Sequence, residues 1–405
     1  MAPDTLALLK DGTAEIVPDG ELEEKLALGR PLRVKLGMDP TAAHVTLGWA
    51  VVLRKLRAFQ DAGHTAVLIV GDFTARVGDP SGTSETRTRL PKDVVDGYAE
   101  RVLAQFRLIL SEERLEIRHN AEWLEPLDME GVLKLTASTT VARMLERDDF
   151  AGRFASKRPI SLMEFMYPLL QGYDSVATAA DVELGGSDQL FNLLVGRDLQ
   201  RAWGQEPQLV MTMPLLEGLD GVQKMSQSLG NYVGITEASD EMFGKLMSIP
   251  DGLIVKYLKL CTDLEPDEVD AIQSGLADGS RHPNEQKRRM AQEVVDLYHG
   301  PGSGALAEDA FDGVHRDREL PESVPDVEIP ASTIRDDRIW LPRLLVELGQ
   351  ASSNAEGRRL IEQKGVRIDG VVVEDPDQEL PPADVRGAVL QVGRRWFGRL
   401  TWGPG

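Results

Sequence analysis

The sequence predicts a doubly wound α/β fold in its first half, then an all-helical segment, then a small α+β tail. Three observations carry that prediction. Strand-like apolar runs alternate with amphipathic helical stretches up to about residue 234. From about Ile235 only helical patterns follow. A Pro- and acid-rich stretch, "DRELPESVPDVEIPAS", then precedes a compact region that begins near Ile339. The expected organisation is a sheet domain with a helical insertion over 1–234, a helical domain over 235–320, a linker over 321–337 and a tail domain over 338–405.

The first strand signal is "PLRVKLGMDP", followed by "TLGWAVVLRKLRAFQDAG", an amphipathic helix predicted to end at Gly63. "TAVLIVGDF" is a continuous apolar run of the kind found in buried parallel strands. After it come the loop "TARVGDPSG" and a polar, helix-rich stretch to about Arg158. "AADVELGGSDQ" and "PQLVMTMPLLEGL" read as two further strands. Such alternation implies a Rossmann-like parallel sheet with ligands at the carboxyl ends of its strands. The later segments "ASDEMFGKLMSIP", "GLIVKYLKLC", "EPDEVDAIQSGL" and "PNEQKRRMAQEVVDLYHG" all carry helical periodicity.

At 405 residues the chain can hold two or three domains, and 42% hydrophobic with 27% charged residues describes an ordinary soluble protein. No apolar run reaches the length of a membrane span. The start "MAPDTLALLKDGTAEIVPDG" does not read as a secretory leader, so a cytoplasmic location is expected. A single cysteine, Cys261, excludes an internal disulfide and reads as a buried small hydrophobe. Net charge is −21, which argues against a nucleic-acid partner for the chain as a whole. The tail differs. From Arg338 onward it carries ten basic and nine acidic residues, and it pairs Arg358 with Arg359 and Arg394 with Arg395. A local phosphate-binding patch is compatible with that charge. His282, His299 and His315 lie without metal-ligand spacing, and no protein-bound metal is expected.

A parallel sheet would bring several loops to one rim. "MDPTAAHVTLGW" precedes a helix N-terminus, where free amide groups favour phosphate, and Gly48 lets a flat group approach the backbone. "VGDPSGTSETR", "LGGSDQLFN" and "DGVQKMSQSLGNY" are polar or glycine-flanked loops after other strands. Each alone is a weak signal, and a Gly-Asp-Pro-Ser-Gly loop by itself reads as a plain turn. "YPLLQGYD" is sharper, because Tyr167, Gln171 and Asp174 stand at i, i+4 and i+7 on one helical face. A phenol, an amide and a carboxylate on one face suit either solvent or a small polar ligand. Met166, Leu169 and Leu170 are also consistent with an ordinary surface helix.

With these loops in this order, the chain resembles the bacterial tyrosyl-tRNA synthetases, a family of class I aminoacyl-tRNA synthetases. The motifs "GDPSG", "YPLLQGYD" and "GGSDQ" carry the resemblance, and "LLVELGQASSNAEGRRLIEQKGVRIDGVVVEDP" resembles the family's C-terminal RNA-binding module. The resemblance implies a nucleotide-binding domain, a helical anticodon-side domain and an RNA-binding tail. It implies that Asp174 bonds the phenol hydroxyl of L-tyrosine, that Tyr167, Gln171 and Asp79 hold its ammonium group, and that Gln189 approaches its carboxylate. It places Asp188 and Gly186 at the ATP ribose and Gly48 under the adenine. Thr41, Thr46, Arg87 and Lys224 of the mobile "KMSQS" loop would act on the phosphates, and Arg358, Arg359 and Lys364 on RNA. ATP with Mg²⁺ as substrate, tRNA(Tyr) as acceptor and a homodimer are implied in the same way, with no membrane partner.

Three features depart from the family pattern. The HIGH-type tetrad is Thr46-Leu47-Gly48-Trp49, the second lysine of the KMSKS-type loop is Gln227, and Lys35 stands where one branch of the family has a second phenol and another has a lysine. Thr46 and Trp49 can donate hydrogen bonds, but neither can be cationic. His44, two residues before Thr46, reads as a surface loop histidine. The tyrosine-side motifs, all present, favour a working enzyme. The alternatives are an activity-impaired paralogue that binds tyrosine or RNA as a regulator, and a nucleotidylyltransferase of similar topology. Trp340, Trp396 and Trp402 are expected to pack the tail.

Overall fold

The computed structural model describes residues 3–80, 91–313, 324–335, 337–393 and 396–401. The chain divides into two compact units, Met1–Gly304 and Ala305–Gly405.

The first unit is built on a six-stranded sheet. Its strands are β1 (Glu15–Val17), β2 (Arg33–Met38), β3 (Thr65–Val70), β4 (Leu115–His119), β5 (Val182–Gly186) and β6 (Leu209–Met213), in the spatial order β1-β6-β5-β2-β3-β4. All neighbours are parallel except β1, which runs antiparallel to β6 along one edge. The four central strands are those legible in the sequence. β1 and β4 are not, since β1 is three residues long and β4 lies inside the stretch read as helical.

Burial explains the central strands. Ala66 to Val70 are fully buried, as a strand covered on both faces requires. The helix Leu47–Asp61 connects β2 to β3, and the helix Leu190–Ala202 connects β5 to β6. These connections run in opposite directions across the sheet. Right-handed crossovers therefore put the two helices on opposite faces. The strand order reverses between β2 and β5, so a ligand crevice opens at their carboxyl ends.

The helix Leu162–Thr178 leads into β5. It begins with a capping box between Ser161 and Glu164, and Glu164 is in turn gripped by buried Arg153 at 2.9 and 3.0 Å. It packs on Leu190–Ala202 through Gly172 and Gly196. A methyl group at Gly172 would come within 3.1 Å of the Gly196 backbone. Four further helices, Ser239–Ser248, Ile254–Cys261, Pro266–Asp278 and Pro283–His299, follow the sheet where the sequence predicts them. Cys261, the last residue of Ile254–Cys261, is buried, and burial pushes its thiol up to about 12.

The second unit holds a five-stranded sheet, a three-stranded sheet and the helices Leu341–Glu347 and Asn354–Glu362 around Leu344, Leu345, Ile361, Val366 and Leu390. Asp326–Glu328, inside the expected linker, is an edge strand of the larger sheet, paired in parallel with Trp396–Thr401. Trp396 packs against the core, and the Trp340 indole donates to the Pro376 carbonyl at 3.0 Å. Trp402 and the Arg394-Arg395 pair lie outside the described residues.

Candidate active site

Four strands of the parallel sheet deliver polar residues to its carboxyl rim. Asp39 follows β2, Thr74 follows β3, Asn120 follows β4, and the turn Ser187–Gln189 follows β5. The rim is tightly drawn. A Cβ on Gly71 would overlap both Asp39 Oδ1 and Thr74 Oγ1, so only glycine lets β3 pass this point.

Tyr167 and Asp174 face this rim from Leu162–Thr178, and both are almost fully buried. The Tyr167 hydroxyl donates to Asp39 Oδ2 at 2.9 Å, and Thr74 donates to Asp39 Oδ1 at 2.7 Å. Asp174 accepts from the Trp123 indole at 2.8 Å and from Asn120 at 3.3 Å. Burial pushes both Asp39 and Asp174 up to about 7, against the opposing hydrogen bonds and, for Asp174, the charge of Lys35. Burial likewise raises the Tyr167 phenol well above its usual range. Gln171 lies between them on the same face, and its Oε1 is buried without a hydrogen-bond partner. A buried, unpaired acceptor beside two raised carboxylates is a site prepared for a cationic or hydroxyl-bearing ligand.

One layer deeper, Lys35 Nζ meets Glu183 Oε1 at 2.8 Å, with both side chains inaccessible to solvent. The register explains the pair, since Lys35 on β2 stands opposite Glu183 on β5. Lys35 also donates to the Gln171 carbonyl at 3.0 Å and to Ser175 at 2.8 Å. It therefore anchors the helical turn that carries Gln171 and Asp174.

A second network borders the pocket. Gln189 donates to Asp79 at 2.9 Å and accepts from Asn192 at 2.9 Å. Arg147 reaches both Asn192, at 3.0 Å, and Asp79, at 3.4 Å. The structure thus joins Asp79 to Gln189 directly, and Tyr167 to Asp174 through Asp39, Thr74 and Asn120.

The nucleotide-side residues form another group. Thr46 is the N-cap of Leu47–Asp61; it is buried, and its hydroxyl accepts from the Trp49 N–H at 3.4 Å. The Trp49 ring leans on Phe106 at 6.3 Å. Thr41 is exposed and lines a cleft with Asp39, His44, Trp49 and Gln227. Gly48 faces Met225, whose Cβ lies 3.5 Å from where a Gly48 Cβ would stand. A side chain at Gly186 would press on Asp188 and Leu215. Lys224 is paired with Asp188 at 2.8 Å. Arg87 lies outside the described residues. Among the described residues, no group of three or more His, Cys, Asp or Glu side chains is placed to hold a metal ion. No described helix is long and apolar enough to cross a membrane.

In the second unit, Arg358 is held by Asp377, Arg359 approaches Glu356 at 3.7 Å, and Lys364 approaches Glu374 at 3.3 Å. Exposed pairs of this kind are weak, so a phosphate can replace the carboxylate partner.

Several site residues had no distinguishing signal in the sequence. Asp39 stands in an unremarkable Asp-Pro turn, and Asn120, Trp123 and Arg147 fall in the polar, helix-rich stretch before Arg158. Only the fold brings them to the pocket.

Residues 27–316 match the family of tRNA synthetases class I (W and Y), and residues 339–385 match the S4 domain. The chain is 53% identical over 399 residues to the tyrosine–tRNA ligase of Moorella thermoacetica, covering 98% of this chain and 95% of that one. It is 51% identical over 403 residues to the tyrosine–tRNA ligase of Geobacter sulfurreducens, covering 98% and 99%. The fold is also that of a C-terminally truncated Aspergillus nidulans mitochondrial tyrosyl-tRNA synthetase, with a TM-score of 0.63 at 22% identity over 77% of this chain and 93% of that one. The sheet, the pocket at its switch point and this near full-length similarity agree, and the chain belongs to the tyrosine–tRNA ligase family of class I synthetases.

Proposed function

We propose that this chain activates L-tyrosine with ATP and transfers the tyrosyl group to tRNA(Tyr), releasing pyrophosphate and AMP. The observation that carries the reading is the buried polar face of Tyr167, Gln171 and Asp174, set against Asp39, Thr74, Asn120 and Trp123 at the sheet's carboxyl rim. Asp174 accepts the substrate's phenol hydroxyl. Asp39, Asp79, Tyr167 and Gln171 surround its ammonium group, and Gln189 borders its carboxylate.

In the first step a tyrosine carboxylate oxygen attacks the α-phosphorus. The bond to the α–β bridging oxygen breaks, and pyrophosphate leaves. Such a transfer depends on positioning and on donors aimed at the developing charge, so no protein nucleophile is required. Thr41, Thr46, Arg87 and Lys224 are the proposed donors and cations. Gly186 and Asp188 receive the ribose, and Gly48 the adenine. Mg²⁺ arrives with ATP as part of the substrate. In the second step the tyrosyl group passes to tRNA. Arg358, Arg359 and Lys364, in or beside the region that matches the S4 domain, are the proposed RNA contacts.

The division into a sheet domain to residue 234, a helical domain from 235 and a C-terminal RNA-binding domain is part of the same reading, with Asp326–Glu328 of the expected linker 321–337 assigned to the C-terminal domain's sheet, as are a cytoplasmic location and a homodimer. Exposed Met129, Leu133, Val141, Phe154 and Leu162, all within one stretch of chain, support the dimer. The tetrad Thr46-Leu47-Gly48-Trp49 favours a second reading, an activity-impaired paralogue that regulates by binding tyrosine or RNA. Tyrosine-dependent exchange of pyrophosphate into ATP separates the two. Exchange supports the ligase, whereas tyrosine binding without exchange supports the regulator.

A further inference from the structure

The KMSQS loop hangs from the end of β6 as an internally bonded unit. The Met225 N–H donates to the Leu216 carbonyl at 2.8 Å, and the Ser226 N–H donates to Asn231 Oδ1 at 2.9 Å. It meets the turn ahead of Thr46 through Gln227. The Gln227 amide nitrogen donates to the His44 carbonyl, and the His44 N–H donates to Gln227 Oε1 at 3.3 Å. From the other side Gln105 does the same for the flanking residues. Its Oε1 accepts from Val45 N–H at 2.8 Å, and its amide nitrogen donates to the Ala43 carbonyl at 2.8 Å. Two glutamines thus satisfy the backbone of a short turn, one from the helix Lys92–Phe106 and one from the loop.

We propose that Gln227 is a positioning residue, whose amide docks the Lys224 loop onto the turn ahead of Thr46 and so replaces a cation with a clamp. The chemistry of the side chain is specific to this task. One His44 group needs a donor and the other an acceptor, at adjacent points on one backbone. A lysine offers donors only, and a glutamate acceptors only. The clamp orders the loop before nucleotide arrives, so the entropy of ordering it is not subtracted from ATP binding. It also holds Met225 over Gly48 and Lys224 near Asp188. The consequence for ATP rests on the ligase reading above. The docking itself does not.

Limited trypsin digestion tests the docking directly. Lys224 is the single basic residue between Arg201 and Lys245, so cleavage after it reports this loop alone. Rates are normalised to those of the chemically unfolded proteins, which removes any sequence preference of the protease. Gln227→Met keeps the length and removes both hydrogen bonds. It should speed cleavage after Lys224 about tenfold, the size expected for one or two net hydrogen bonds, with cleavage elsewhere unchanged. Gln227→Glu should fall between the two. A parental rate at Lys224 in the Met variant would overturn the clamp, as would equal acceleration at sites across the whole unit. In pyrophosphate exchange, Gln227→Met should raise KM for ATP several-fold and leave KM for tyrosine unchanged. Should the parent show no exchange at all, the ligase reading fails, while proteolysis still decides the clamp.

Discussion

Trp123 donates its indole N–H to Asp174 Oδ1 at 2.8 Å, and Asn120 holds the other carboxylate oxygen at 3.3 Å. Both donors come from the segment after β4, whereas Asp174 stands on the helix that leads into β5. The carboxylate is therefore fixed before any substrate enters, which is how a buried acceptor becomes selective.

Asp174→Ala should erase most discrimination between tyrosine and phenylalanine, a selectivity for which tyrosyl-tRNA synthetases are themselves the well-known example. Trp123→Phe tests the support as distinct from the acceptor. It keeps the ring but removes one donor, and should reduce the ratio of kcat/KM values for the two amino acids roughly tenfold. An unchanged ratio in both variants would mean that the phenol hydroxyl points elsewhere.

The raised carboxylates predict an unusual pH response. Asp39, at about 7, holds its proton in the native state where the unfolded chain has released it. Between about pH 4 and 7 the native state binds more protons than the unfolded state, so this group's contribution to stability falls as pH rises. Asp174, also at about 7, acts in the same direction. Other carboxylates, such as Glu116 beside Arg33, are held low and oppose the trend, so a difference measurement is needed. Asp39→Asn removes the Asp39 contribution together with its charge coupling to Asp79 and Asp174. Its melting temperature relative to the parent should rise from pH 5 to pH 8, and a flat or falling difference would refute the assignment. Tyrosine binding to the parent should tighten as pH rises to about 7, because the ionised carboxylates are the better partners for an ammonium group and a phenol.

Reversing charge at Arg358 and Arg359 tests the tail. The double substitution Arg358→Glu with Arg359→Glu should raise KM for tRNA about tenfold at low salt and leave pyrophosphate exchange unchanged. The difference from the parent should shrink as salt is added. Equal loss in both assays would mean that the arginines, through Asp377 and Glu356, support the fold instead.

Legibility in the sequence followed the range of the interactions. The central strands and the later helices are visible because each is a local pattern of burial, as in "TAVLIV" or the helix Pro283–His299. The face of Tyr167, Gln171 and Asp174 is visible because one helix carries all three. Asp39, Asn120, Trp123 and Arg147 are invisible for the opposite reason. Each sits in an ordinary local context and acquires its partner across 45 to 128 residues of chain. The pairing of Lys35 with Glu183 depends on the register of two strands, which no local pattern specifies. β1 is too short to carry a pattern of its own.

Thr46 has two roles to separate, because the residue at the head of the variant tetrad is also a helix cap. Its hydroxyl oxygen accepts from the Trp49 N–H at 3.4 Å, while its hydroxyl hydrogen is available to a phosphate. Thr46→Val removes both functions. It should cost about 1 kcal/mol in stability, the usual size of a lost cap, and slow adenylate formation. Thr46→Ser retains both and should match the parent in each measurement. Thr46→Asp is the informative variant, since aspartate caps a helix as well as serine does but, when ionised, donates nothing and repels phosphate. Its stability should stay near the parent while single-turnover adenylate formation falls by on the order of 10²-fold, as for loss of one preorganised donor. If Thr46→Asp instead kept the parental rate, Thr46 would be a cap alone, and the transition-state charge would fall to Lys224, Thr41 and Arg87.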